Sequence, residues 1–148
     1  MKILGIDYGE KRIGLALSDI SNMVARSLRV LNKDATRNWF EEIKTIVNEN
    51  EIKQIVIGLP KNMNGSIGKK GKEVLAFVKV LEKGVKVPIV TWDERLTTVS
   101  AEKVLRQADL SRKKRKRVLD KLSACIILQN YLDSIGPGEK DKIEESNR

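Results

Sequence analysis

The chain is expected to fold as an α/β domain on one mixed five-stranded sheet flanked by helices, and three observations predict this. Strand and helix signals follow one another as βββαβαβα. The first three strands are joined by short turns, which makes them antiparallel neighbours. The later strands are separated by helix-length amphipathic stretches, which makes them parallel strands with helical crossovers.

Each element has its own reason. Ile3, Leu4 and Ile6 read as the first strand, Gly9 with Glu10 as a turn, and Ile13 to Leu17 as a returning strand. Val24 to Leu31 reads as a third strand, of edge type because Arg26 and Arg29 interrupt it. Asp34 or Thr36 is a suitable start for a helix running to about Asn50, with Trp39, Phe40, Ile43, Ile46 and Val47 in one apolar stripe. Gln54 to Leu59 is a short buried strand, followed by a loop over residues 60–68 that contains the turn pair Asn64–Gly65. A helix is expected over Lys70 to Lys83, a buried strand over Val87 to Trp92, and a helix from Thr97 or Thr98 to about Gln107. A basic run then leads into a last helix from about Val118 to Ile135. Residues 1–136 form the expected domain, and 137–148, with Pro, Gly and mixed charge, read as a frayed tail.

The totals narrow the chemistry. At 148 residues and 41% hydrophobic content the chain suits one domain with a real core. A net charge of +9 points to a polyphosphate partner, or else to a charge-rich surface. There is no histidine, which excludes His-assisted serine or cysteine triads and the common His-rich zinc sites. The single cysteine, Cys125, lies in an apolar run and reads as core. No apolar run approaches a membrane span and the first residues enter a strand directly, so a cytoplasmic location is expected.

Three carboxylates stand out. Asp7 interrupts a strand that is apolar on both faces, where burying even a neutral polar group costs ~2 to 7 kcal/mol without a partner. Gly5 and Gly9 share its face, so a ligand could approach the backbone there; alternatively Asp7 caps the turn or pairs with a nearby Lys or Arg. Glu94 directly follows a buried strand and precedes a helix, where it either serves a site or simply favours the helix start beside Arg95. Asp120 shares a helical face with Ala124 and Ile127 and could point toward the sheet, or could serve the helix dipole from a first turn. Any two of these at ~4 Å would repel by about 4 kcal/mol in a partly screened site. Divalent cations with hard oxygen ligands, Mg²⁺ or Mn²⁺, would offset that repulsion.

The strand motif GlyIleAspTyrGly, the loop GlyLeuProLysAsnMetAsnGly, the run TrpAspGluArgLeuThrThr, and LeuAspLysLeuSerAla followed by IleIleLeuGln together resemble the YqgF (RuvX) family of RNase H-like nucleases over about residues 1 to 135. The resemblance implies an RNase H-like sheet, with strands 1–3 antiparallel and strands 1, 4 and 5 parallel, and a cytoplasmic location. It implies a nuclease processing the 5′ end of pre-16S rRNA, with an older assignment as a Holliday-junction resolvase. Carried over residue by residue, the family's acidic, metal-holding site falls on Asp7, Glu94 and Asp120. Related RuvC resolvases carry a further aspartate where this chain has Ser123.

The tract Arg112, Lys113, Lys114, Arg115, Lys116 and Arg117 would deliver a nucleic-acid backbone to that site. Six phosphate contacts on a single strand would give a salt slope of about −4. Lys61, Asn62, Asn64 and Arg95 are candidates for phosphate or sugar contacts at the same sheet end, with Arg12 a lesser one. Aromatic residues are 4% of the chain, so backbone and shape rather than base stacking should govern recognition.

The leading expectation is a two-metal phosphodiesterase acting on structured nucleic acid, in which Asp7 bridges two ions and Glu94 and Asp120 each complete one. A second is a non-catalytic RNA-binding ribosome-assembly factor. A third, an ATP binder of the actin or sugar-kinase type, needs two such halves where 148 residues supply one. A four-way junction substrate would suit a twofold homodimer, although no self-complementary patch is legible.

Overall fold

A computed structural model describes residues 1–36, 38–96 and 112–135, with side chains described for all of these except Leu96 and 112–121. The expected helix from Thr97 or Thr98 to Gln107 and the tail 137–148 lie outside the described residues. The elements are β1 (Lys2–Tyr8), β2 (Arg12–Ser18), β3 (Ala25–Asn32), α1 (Trp39–Glu49), β4 (Ile52–Leu59), α2 (Lys69–Gly84), β5 (Ile89–Asp93), a short 3₁₀ turn (Glu94–Leu96) and α3 (Arg112–Ser134).

The strands make one sheet in the order β3-β2-β1-β4-β5. β1 pairs antiparallel with β2 and parallel with β4, and β5 joins β4 in parallel. The mixed sheet is therefore the one expected, and β1 is its middle strand. Chain alternation then divides the apolar residues between two faces. Leu4, Ile6, Ile13, Leu15, Ile55 and Ile57 point to the side covered by α1 and α2, where Ile43, Val74, Phe77 and Leu81 meet them. Ile3, Ala16 and Val56 point to the other side, under Ala124, Ile127, Leu128, Tyr131 and Leu132 of α3. Each fully buried Leu or Ile in these layers contributes ~1.5 to 3 kcal/mol of transfer free energy.

Two helix starts differ from the sequence reading. α1 begins at Trp39 rather than at Asp34 or Thr36. The Asn32 side chain accepts the backbone N–H groups of Asp34 (3.0 Å) and Ala35 (3.2 Å), and the Thr36 N–H donates to the Asn32 carbonyl (2.8 Å). That local turn competes with helix for the same backbone groups. α3 begins at Arg112 rather than about Val118, so the basic tract opens the helix instead of preceding it. Lys and Arg have high intrinsic helix propensity, so the run is compatible with the first turns of a helix. Asp120 is consequently the ninth residue of α3 rather than a first-turn acid.

Side chains tie α3 to its place. The Gln129 amide donates to the Met23 carbonyl (3.0 Å) and its oxygen accepts the Ala25 N–H (2.9 Å), while the Tyr131 hydroxyl donates to Gln54 Oε1 (3.0 Å).

Candidate functional site

Asp7 sits near the carboxyl end of β1, on the α3 side of the sheet. Its partner across the hairpin is Gly14 of β2. Continuing the β1–β4 register past Ile6↔Ile57 puts Gly58 beside it on the other flank. A carboxylate in the middle strand is thus bordered in the sheet by two residues with no side chain, and the space above them is open to other groups.

Glu94 enters that space. It leaves the end of β5 on the 3₁₀ turn, and its Oε1 would lie only 2.6 Å from a Cβ placed on Gly58. Gly58 is the residue whose lack of a side chain lets Glu94 lie over the sheet toward Asp7. Burial, reinforced by the negative charge of Asp7, pushes the Glu94 carboxyl up to about 7, against the opposing pull of Lys70. A carboxylate perturbed this far stands beside Asp7, the acid that interrupts the apolar first strand.

Two hollows meet at Asp7. One, of about 390 Å³, is lined by Asp7, Tyr8, Glu10, Gly58, Pro60, Lys69, Lys70, Glu73, Val74 and Glu94. The other, of about 350 Å³, is lined by Asp7, Gly9, Lys11, Arg12, Gly14, Val30 and Ser123. Arg12 therefore stands at the site, as does Ser123. A larger hollow of about 680 Å³ opens at the opposite end of the hairpin, lined by Lys2, Leu17, Asp19, Ile20 and Leu28 among others. Its single acid, Asp19, is engaged in its own turn: it accepts the N–H groups of Met23 (2.9 Å) and Val24 (3.2 Å) and the Ser21 hydroxyl (2.7 Å). Asp7 and Glu94 instead stand together in a hollow lined by further charged residues, at the carboxyl ends of β1 and β5.

The other expected residues divide. Arg95 grips Asp93 with its guanidinium, Nη2 to Oδ2 at 2.6 Å and Nε to both oxygens at 3.0 and 3.1 Å, and reaches the Met63 carbonyl at 3.3 Å. That pairing holds the Asp93 carboxyl below the usual range. It also straps the 60–68 loop to the end of β5. Asn62 and Asn64 hydrogen-bond inside the loop: the Asn62 amide donates to Ser66 Oγ (2.9 Å), and Asn64 Oδ1 accepts the Ser66 N–H (3.0 Å) and hydroxyl (2.6 Å). Gly65 takes φ of +87°, as the Asn–Gly pair predicts for a turn. Lys61 is half-buried and its charge acts on Asp93. Asp120 and Arg112 to Arg117 lie on the α3 backbone, with their side chains outside the described residues.

Lys69 and Lys70 were not among the expected site residues. Their signal was legible: two adjacent lysines open the helix that follows the carboxyl end of β4, where ligands of parallel sheets gather.

The donor set suits a hard divalent cation. Four carboxylates, Asp7, Glu10, Glu73 and Glu94, line one hollow, and the raised proton affinity of Glu94 comes first from burial and then from repulsion by Asp7, both of which a cation would offset. Among the described residues no group of three Asp, Glu, Cys or His side chains is assembled as ligands, so a third protein ligand would come from outside that set.

Residues 1–134 match the model of a family described as RuvX: Holliday junction resolvase. A relative from Thermoanaerobacter pseudethanolicus is 52% identical over 135 residues, covering 90% of this chain and 97% of its own, and is named "Putative pre-16S rRNA nuclease". A relative from Desulforamulus reducens with the same name is 48% identical, over 90% of this chain and 98% of its own. Among solved structures, T. thermophilus RuvC in complex with Holliday junction substrate superposes with a TM-score of 0.59 at 17% identity, over 87% of this chain and 90% of its own. The fowlpox virus Holliday junction resolvase follows at 0.52 and 14%, over 91% and 100%. At those identities the structures speak for the fold, and they share the one described above.

Proposed function

Because this chain belongs to the RuvX family, we propose that it is a metal-dependent nuclease of the cytoplasm that processes the 5′ end of pre-16S rRNA during ribosome assembly. The observation that carries the reading is the Asp7–Glu94 pair over the Gly14 and Gly58 gap. Asp7, Glu94 and Asp120 would hold Mg²⁺ or Mn²⁺, two ions in all. Bound there, such ions would lower the pKa of a water and stabilise the leaving oxygen of the phosphodiester.

The chain's own residues do the rest. Asp7 is held rigidly by the middle strand and defines where the scissile phosphate must come. Glu94, whose carboxyl is pushed up to about 7 in the ion-free protein, is only partly ionised at neutral pH, and a bound cation would favour its charged form. The Arg95 strap keeps the 60–68 loop, which leads into α2, in register with the end of β5. The basic tract at the start of α3, together with Lys61, Asn62, Asn64 and Arg95, would guide the strand toward the acids.

A second reading, cleavage of four-way DNA junctions, is favoured by the likeness to a RuvC–junction complex and would call for a twofold homodimer. The discriminating experiment compares labelled precursor rRNA, single-stranded RNA and junction DNA side by side, with Mg²⁺, with Mn²⁺ and with excess EDTA. Cleavage of the precursor that stops in EDTA and in Asp7→Asn, with RNA binding retained by that variant, is the expected result. Its rate should fall on the order of a thousandfold, since metal-assisted charge stabilisation supplies several kcal/mol. Binding without cleavage by rigorously purified protein would instead identify a non-catalytic assembly factor.

A further inference from the structure

The hollow on the α2 side of the acids has two chemically different walls. Asp7 and Glu94 form one; Lys69 and Lys70, the first two residues of α2, form part of the other, with Glu73 one turn further on. The rest of the lining is Glu10 and a short apolar floor from Val74, Pro60 and Tyr8, whose ring carries Phe77 stacked at 4.2 Å between centroids and the Lys33 ammonium at 3.8 Å. The volume of about 390 Å³ is at the small end of the range for ligand pockets. Acids able to hold cations, paired ammonium groups and a short apolar floor in one small hollow match a single nucleotide unit: a phosphate for the lysines and a sugar for the floor.

We propose that this hollow is a nucleotide subsite, in which Lys69 and Lys70 hold the phosphate next to the one poised at Asp7 and Glu94. The proposal rests on the nuclease reading for the identity of the strand. It adds a side to the strand's path, because the second hollow, with Lys11 and Arg12, lies across Asp7 from it. Lys69 and Lys70 are strand-binding residues here, and the acids remain the reacting centre.

The test measures binding of a short labelled oligouridylate by fluorescence anisotropy between about 50 and 200 mM salt. Two double variants carry the same charge change: Lys69→Ala/Lys70→Ala, and Lys79→Ala/Lys83→Ala, whose exposed lysines lie further along α2 and away from the hollow. The first should bind more weakly and flatten the salt slope by about 1.4, or 0.7 per lost single-strand contact. The second should keep the original slope. Equal slopes for the first variant and the unaltered protein would overturn the subsite, as would equal flattening in both variants, which would mean diffuse charge. Tighter Mn²⁺ binding by the first variant with an unchanged RNA slope would also overturn it, since the lysines would then only offset the acids. Circular dichroism melts confirm that both variants fold. Because the readout is binding, an unaltered protein that never cleaves would defeat the nuclease reading while the slopes still decide the subsite.

Discussion

The two faces of the sheet are built on opposite principles. Under α1 and α2 the strands present Leu4, Ile6, Ile13, Leu15, Ile55 and Ile57, all at most 1% exposed, against Phe77 and Leu81. Under α3 the same strands present Ile3 and Val56, but around Asp7 only the small residues Gly5, Gly14, Ala16 and Gly58. Large side chains on one face fill volume and supply transfer free energy. Small ones on the other let a helix and a glutamate come down onto the backbone, which sacrifices packing for a place where carboxylates can gather. The lesson is that stability and chemistry are separated by a single strand's thickness, through the alternation of side chains.

Removing volume from the first face should unfold the protein before it touches the chemistry. Ile57→Ala is expected to cost about 2 to 5 kcal/mol in chemical denaturation while leaving cleavage per folded molecule unchanged. Loss of activity without loss of stability in that variant would break the comparison.

The second face should respond to ions. Magnesium at about a hundredfold above its Kd should raise the unfolding free energy by about 2.7 kcal/mol. The gain should vanish in Asp7→Asn, and a thermal melt with and without the ion measures both.

Glycines on the second face are predicted to differ from one another. At Gly5 a Cβ would meet Leu128 Cβ at 2.7 Å and the Ala124 carbonyl at 3.1 Å, so Gly5→Ala must push α3 itself away and should cost about 1 to 3 kcal/mol. At Gly58 the obstacles are the ends of flexible side chains, Ile127 Cδ1 at 2.5 Å and Glu94 Oε1 at 2.6 Å. Gly58→Ala should therefore lower stability less than Gly5→Ala but displace Glu94, seen as weaker Mn²⁺ binding. At Gly14 a Cβ would stand 3.5 Å from Ala124 and 3.7 Å from Asp7, ordinary contacts that make it the mildest of the three.

The smallest effect concerns pH. Glu94 binds its proton more tightly in the folded chain, about 7 against 4.5 unfolded, so between those values the folded state holds more protons. Ion-free stability that is fully present below pH 4.5 should therefore fall as pH rises through 7, by about 1 kcal/mol once partial solvation is allowed for. Glu94→Gln should flatten that decline in denaturant titrations repeated across pH.

Much of this organisation was legible residue by residue. Asp7 betrayed itself as a charge inside an apolar strand, and the glycines near it as places of close approach. The loop at Asn64–Gly65 announced its turn, and the structure supplies the left-handed Gly65 it requires. The start of α1 was misplaced because the Asn32 side chain captures backbone groups that a helix would use, a competition that propensity alone underweights. The start of α3 was misplaced because the basic run was set before the helix, although Lys and Arg are themselves good helix formers.

Alternation, turn chemistry and net charge are local or additive properties, and the sequence by itself determined them: the strands, the mixed-sheet class, the odd carboxylate and the cationic character. The convergence of Asp7 with Glu94 was decided by tertiary structure alone. It depends on β4 docking in parallel against β1 in the register that sets Gly58 beside Asp7, and on β5 then delivering Glu94 over that glycine. Parallel pairing joins segments some fifty residues apart through backbone hydrogen bonds that are alike for every side chain, so it was the packing of the two faces that selected the register.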